Sequence, residues 1–174
     1  FTGGASTLPQ VLELLALWRG TLDANRAITA ACGMGWWKRQ EIRRFLWHPV
    51  RRLHMVRRSA RALALAQKDG GGVAIWPSRV SPRLTAAAHA ASVPLIRVED
   101  GFVRSVGLGV DLVPPSSVVV DFSGIHFDPN GASDLETLLE SAPMPPALLD
   151  RARALRERIV AAGISKYAVD GARQ

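Results

Sequence analysis

Apolar residues recur at helical spacing at Val11, Leu14, Leu15 and Trp18, behind Thr7-Leu8-Pro9-Gln10, which has the form of a capping box. The pattern predicts a helix over about 8–25. Ile28 to Met34 is a short apolar run punctuated by Gly33 and Gly35, the signature of a buried strand that turns into a helix beginning near Trp36. That helix should carry Ile42, Phe45 and Leu46 inward and stop at His48-Pro49, because the residue before proline avoids helical angles. Leu53 to Val56 predicts a short strand and Ala60 to Gln67 a helix, stopped by Lys68-Asp69-Gly70-Gly71-Gly72. Val73-Ala74-Ile75-Trp76 then reads as a strand buried on both faces.

The alternation continues. Ser81-Pro82 supplies an N-cap and a proline at the first helical position, opening an alanine-rich helix to about Ala91. Val93 to Val98 is another buried strand, running into Glu99-Asp100-Gly101-Phe102. Ser117 to Val120 predicts a strand ending at Asp121, followed by a turn at Ser123-Gly124 and a short strand over Ile125 to Phe127. Ser133-Asp134-Leu135-Glu136 is a second capping box, with a helix to about Ser141. After a stiff joint at Pro143 to Pro146, a last helix places Leu148, Ala152, Leu155 and Ile159 on one stripe and closes at Gly163. Strands alternating with helices at this spacing imply an α/β fold: a mostly parallel sheet with helices on both faces. Such sheets place ligands beyond the carboxyl ends of their strands. That rule selects Gly33-Met34-Gly35-Trp36, Trp76-Pro77-Ser78, and Glu99 to Ser105.

Composition narrows the classes. With 174 residues, 48% of them apolar and 21% charged, the chain has room for one domain with a core. No apolar run approaches the roughly 20 residues that span a bilayer. Cys32 is the only cysteine, which excludes a disulfide framework and a cysteine zinc site and fits a reducing compartment. No leader pattern opens the sequence. Residue 1 is Phe and the chain stops at Gly171-Ala172-Arg173-Gln174 without a closing element, so a piece of a longer protein is expected.

Charge adds a local feature. The net charge is +7, yet Lys38 to Lys68 holds ten basic residues and one acid, Glu41, and so carries +9, while the rest of the chain is near neutral at −2. A local basic patch suits an anionic partner or a solvated face. Arg43, Arg44, Arg51 and Arg52 are its candidate anionic-surface residues. Trp36, Trp37, Phe45 and Trp47 interleave with the charge, but no recognised nucleic-acid module matches, and an anionic membrane surface suits the patch at least as well.

The richest chemistry lies at Glu99-Asp100-Gly101-Phe102-Val103-Arg104-Ser105. Paired carboxylates at a strand's carboxyl end can act as general acid or base, and Arg104 offers a fork for a carboxylate or phosphate; alternatively, Arg104 pairs with Asp100 and the glycine shapes a turn. Gly107-Leu108-Gly109 lacks the third glycine of a dinucleotide fingerprint, and no Walker loop or nucleophile elbow is present. The four histidines show no zinc spacing, so no metal is expected; His126 with Asp128 is the pair to watch.

Gly35-Trp36-Trp37-Lys38-Arg39, Val73-Ala74-Ile75-Trp76, and Val93-Pro94-Leu95-Ile96-Arg97-Val98-Glu99-Asp100-Gly101-Phe102-Val103-Arg104-Ser105-Val106-Gly107-Leu108-Gly109 closely resemble bacterial capsule polysaccharide biosynthesis proteins of the retaining β-Kdo glycosyltransferase family. The resemblance continues through Asp111 to Pro115, Ser117 to Asp121, Gly124-Ile125 and Ser165-Lys166-Tyr167. It implies one half of a two-Rossmann-domain, GT-B-like module, in which residues 1–27 are a helical linker from a preceding module, 28–142 a Rossmann-like acceptor-side domain, and 143–174 a C-terminal helix leading to a nucleotide-binding domain. The implied activity is transfer of Kdo, an acidic eight-carbon sugar, from CMP-Kdo to a Kdo-terminated lipid acceptor, at the cytoplasmic face of the inner membrane. The family's Gln-x-x-x-Asp-x-Ser nucleophile motif does not occur here, so this part alone is expected to be inactive. The implied catalytic residues are Glu99 and Asp100, and the implied substrate-binding residues Arg104, Ser105, His126, Lys166 and Tyr167. The family's Tyr-Tyr-Asp stands here as His126-Phe127-Asp128, and the Asn after Ser-Lys-Tyr is Ala168. No cofactor is expected beyond the CMP-Kdo donor. The alternative is a non-catalytic binding or scaffold domain that docks on anionic membrane or nucleic acid through residues 38–68.

Overall fold

The computed structural model describes residues 5–106 and 111–168. Helix α1 (Leu8–Asn25) precedes strand β1 (Ile28–Cys32), a 3-10 turn (Trp36–Lys38) and helix α2 (Arg39–Phe45). Strand β2 (His54–Met55), helix α3 (Ser59–Asp69) and strand β3 (Gly72–Ile75) follow, then a 3-10 turn (Pro77–Arg79), helix α4 (Pro82–Ala90) and strand β4 (Leu95–Asp100). Strands β5 (Ser105–Val106) and β6 (Val118–Asp121), helices α5 (Asp134–Ser141) and α6 (Pro146–Ala161), and strand β7 (Tyr167–Ala168) complete the order.

Five strands form one sheet in the order β2-β1-β3-β4-β6. Ala31 pairs with Met55 on one side and Ala74 on the other, and Ala74 pairs with Ile96, all in parallel. Only β6 runs antiparallel, placing Val98 opposite Val120. The mostly parallel α/β sheet expected from the alternation is therefore present. A separate parallel pair joins β5 to β7.

The alternation of side chains assigns the helices to faces. Ala30, Cys32, Val73, Ile75 and Leu95 point to one face, where α3 and α4 bring Ala62, Leu63, Ala66, Leu84 and Ala88. Ala31, Ala74, Ile96 and Val98 point to the other, where α2 brings Ile42 and Leu46. Ile28 joins this second face despite lying two residues before Ala30, because the register shifts between them. Alanines at the contact let α3 approach β1 closely. Cys32 is 2% exposed and burial pushes its thiol up to about 11, so it is a packing residue rather than a nucleophile.

Both capped helices follow their sequence signals. Ser81 Oγ accepts from the Leu84 amide at 3.2 Å. Ser133 Oγ accepts from the Glu136 amide at 3.1 Å while Glu136 returns Oε2 to the Ser133 amide at 2.8 Å. Asn25, buried at the end of α1, donates to the carbonyls of Phe45 and Trp47, which ends α2 three residues before His48.

Two expectations are corrected. Ile125 to Phe127 is a turn rather than a strand: the Asp128 amide donates back to Ile125, and only Ile125 of the three is buried. Asp121, 1% exposed, captures the amides of Ser123, Gly124 and Asp134 and folds the chain away from the sheet edge. The stripe on α6 forms, but α6 buries no residue, and Leu148 and Leu155 are exposed; α1 likewise exposes Val11, Leu14, Leu15 and Trp18.

Candidate active site

The three strand ends selected by the sheet rule meet in space. Lys38, from the 3-10 turn after β1, reaches Asp100 at the end of β4, with Nζ 2.9 and 2.8 Å from its two carboxylate oxygens. Arg104 Nε donates to the same carboxylate at 2.8 Å, and its Nη2 to the Val113 carbonyl at 2.8 Å. Trp76, at the end of β3, lies under the Lys38 ammonium, 3.8 Å from Nζ to ring centroid; Trp37 lies 5.0 Å away on another side. Arg104 is fully buried, and the Lys38 and Asp100 side chains are 10% and 13% exposed. Asp100 thus neutralises two cations, the arrangement of a structural anchor.

Glu99 faces the other way. Successive strand residues point to opposite faces, so Asp100 shares a side with Ile96 and Val98 while Glu99 shares one with Arg97. The structure therefore separates the two carboxylates that the sequence pairs. Glu99 is half-buried in a cleft of about 470 Å³ lined by Pro77, Ser78, Arg97, Phe127 and Asp128. Burial raises its pKa above the ordinary 4.5, offset in part by the Asp100 amide that donates to Oε1 at 2.9 Å. A carboxyl with raised pKa and an open cleft in front of it can exchange protons with a bound hydroxyl.

Gly101 turns the chain out of β4, its amide donating to the Ser117 carbonyl at 3.0 Å; a Cβ there would collide with the Ser117 side chain. Ser105 is buried beside Arg104, and the Arg104 amide donates to the carbonyl of Lys166, an exposed residue. Tyr167 belongs to β7, paired with Ser105. His126 packs between Phe102 and Phe127, with ring centroids 4.9 and 5.2 Å away, and its Nδ1 is buried without a hydrogen-bond partner among the described residues. Asp128 is exposed, and hydrogen bonds from Asn130 lower its pKa. Gly107-Leu108-Gly109 lies outside the described residues.

Arg43, Arg51, Arg52 and Arg61 of the basic segment line one open cleft, while other basic residues of the segment are engaged elsewhere. Lys38 is consumed by Asp100. Arg51 bonds Thr29 Oγ1 and the carbonyls of Asp69 and Gly70, closing the end of α3. Arg44 pairs with Glu41 at 2.7 Å. Arg43 and Arg52 remain exposed. Sequence reasoning did not single out Lys38 or Arg97. Their signal was position, since one ends the 3-10 turn after β1 and the other lies two residues before Glu99. Among the described residues no group of three or more His, Cys, Asp or Glu could hold a metal, and no helix is long and apolar enough to cross a membrane.

Residues 72–174 match the family model described as capsule polysaccharide biosynthesis protein. The capsule polysaccharide modification protein LipA of Neisseria meningitidis is 32% identical over 168 residues, which is 97% of this chain and 24% of LipA. The lipopolysaccharide-processing protein LpsZ of Rhizobium meliloti is 51% identical over 80 residues, 45% of this chain and 18% of LpsZ. The chain thus spans about a quarter or less of the length of these relatives. Among solved structures, Thermosulfurimonas dismutans KpsC, a beta Kdo 2,4 transferase, superposes with a TM-score of 0.64 at 28% identity, covering 82% of this chain and 42% of KpsC. Its beta Kdo 2,7 transferase superposes at 0.55 and 26% identity, covering 83% and 44%.

Proposed function

Because the chain belongs to the capsule polysaccharide biosynthesis protein family, we propose that it is the acceptor-side part of a transferase that moves Kdo from CMP-Kdo to a Kdo-terminated lipid acceptor. The observation that carries this reading is the Glu99 cleft: one half-buried carboxyl of raised pKa, at the carboxyl end of a parallel strand, in a cleft whose wall includes Arg97. Likeness to the two KpsC transferases supports the choice of sugar.

In this reading the acceptor sugar occupies the cleft, with its carboxylate toward Arg97 and the reacting hydroxyl toward Glu99. As the hydroxyl oxygen bonds to the anomeric carbon of Kdo, its proton passes to the Glu99 carboxylate and the bond from Kdo to its carrier breaks. Asp100 is a positioning residue: held by Lys38 and Arg104, it fixes the turn after β4 from which Glu99 is presented. CMP-Kdo binding and the nucleophile belong to a part of the protein outside these residues, so this part alone does not turn over. The acceptor's lipid places the enzyme at the periphery of the inner membrane, on its cytoplasmic side.

The test is to incubate the full-length protein with CMP-Kdo and a Kdo-terminated glycolipid and to follow the lipid by mass spectrometry. The expected product carries one additional Kdo. Release of CMP without any growth of the acceptor would contradict the reading.

A further inference from the structure

A second cleft opens on the opposite side of the Pro77–Arg79 turn, at the ends of β1 and β3. It encloses about 510 Å³ and is lined by Arg39, Arg57, Arg79, Ser59, Gly33 and Trp36 among others, with no acidic residue in its wall. The three arginines come from three separate places: the first residue of α2, the connection after β2, and the turn after β3. Among the described residues none of them enters an ion pair, unlike Lys38, Arg44 and Arg104 nearby. Gly33 makes the convergence feasible. It sits at φ +84, a conformation that favours glycine, and a Cβ on it would press on Arg79 at 3.0 Å from Cγ and 3.1 Å from Cβ, so the bare backbone leaves room for that side chain beside it. Ser59, the first residue of the 11-residue helix α3, adds a hydroxyl, and no side chain caps that helix's first amides.

We propose that this cleft is a binding site for a phosphoryl group. Guanidinium forks match phosphate oxygens in pairs, and uncapped helix amides add donors of the same polarity. A merely solvated basic face spreads its charges outward; here three cations converge on one concavity that offers them no internal counter-charge. Arg39 is half-buried, which strengthens its pull on an anion relative to a freely exposed side chain. Trp36, 74% exposed at the cleft, supplies an apolar lip for the carbon skeleton attached to the phosphate. The phosphoryl group can come from a nucleotide or from a lipid headgroup, and the chemistry is shared.

The assignment does not depend on the role of Glu99, since its test reads binding rather than transfer. Titration calorimetry of inorganic pyrophosphate into the full-length protein should show a site that weakens about tenfold or more on Arg57→Gln or Arg79→Gln, the loss of a charge-assisted hydrogen bond. Arg43→Gln or Arg52→Gln, each of which removes one charge from the neighbouring surface, should leave the affinity within about twofold. Both Arg57 and Arg79 are exposed, so these variants keep the fold, as circular dichroism will verify. Displacement of pyrophosphate by glycerophosphoglycerol would assign the phosphoryl group to a lipid headgroup and support the site; displacement by CMP would assign it to a nucleotide and support the site too, while overturning the placement of CMP outside this part. Displacement by neither, equal affinity in wild type and the cleft variants, or an equal loss in the control would overturn it.

Discussion

In the full-length protein, Glu99→Gln should lower the rate of the proposed Kdo transfer by about 10²–10⁴-fold, the range contributed by a positioned general acid or base, with the folded structure retained. The amide keeps the shape of the carboxyl but cannot take the acceptor's proton. The pH profile separates this role from simple contact. Burial raises the Glu99 pKa, so in the wild type kcat/KM rises with pH through a value above 4.5 as the carboxylate forms, and in the variant that limb disappears. The sign for stability runs in the opposite sense. A carboxyl whose pKa is raised on folding binds its proton more tightly in the folded state, so its contribution is complete at low pH and is lost as pH rises through the folded pKa. Gln mimics the protonated form, so at neutral pH the variant should be no less stable than the wild type. A fall in activity accompanied by a lower melting temperature would point to misfolding instead of lost chemistry.

Asp100→Ala acts on the fold first. Removing this carboxylate takes the ion-paired counter-charge away from the fully buried Arg104 guanidinium and the nearly buried Lys38 ammonium. Breaking a buried pair from one side costs about 3–5 kcal/mol, which for a domain of this size lowers the melting temperature by about 6–20 °C. Thermal denaturation followed by circular dichroism measures it. A shift of only a degree or two would mean that water reaches Lys38 and Arg104 and that Asp100 is not their anchor. The two adjacent acids are thus distinguished by experiment: Glu99→Gln removes turnover and spares stability, whereas Asp100→Ala removes stability.

Their different roles also show what could be read along the chain. The alternation of apolar runs at β1, β3 and β4 with helical stripes at α2, α3 and α4 specified a mostly parallel sheet, because each of those runs is buried on both faces and short enough to exclude a helix. The rule of strand ends then located Trp76 and Asp100 in stretches that prove to be neighbours, joined by Lys38, which lies two residues beyond the first stretch the rule selected. What the chain did not disclose was partnership. Lys38 and Asp100 are 62 residues apart, and nothing local distinguishes a lysine that will be buried from its exposed neighbours. Strand alternation alone implies that Glu99 and Asp100 face apart, yet adjacency in the motif suggested one acidic cluster. Ile125 to Phe127 misled because an apolar–polar–apolar triplet fits a strand until Asp121, buried and in need of donors, claims the amides that follow it. In the basic segment, net charge counts Lys38, Arg44 and Arg51 equally with Arg43 and Arg52, and only the structure shows that carboxylates and carbonyls engage the first three.

In the proposed reading the Glu99 cleft holds the acceptor rather than the CMP-activated donor. This placement is tested most directly by equilibrium binding to the full-length protein carrying Arg97→Gln, in the wall of the Glu99 cleft. Calorimetry with a soluble Kdo-terminated glycoside should show affinity reduced by about tenfold or more relative to wild type, as expected for a lost hydrogen bond to a charged group, while affinity for CMP stays the same. An unchanged glycoside affinity with weakened CMP binding would contradict the account and place the donor in this cleft.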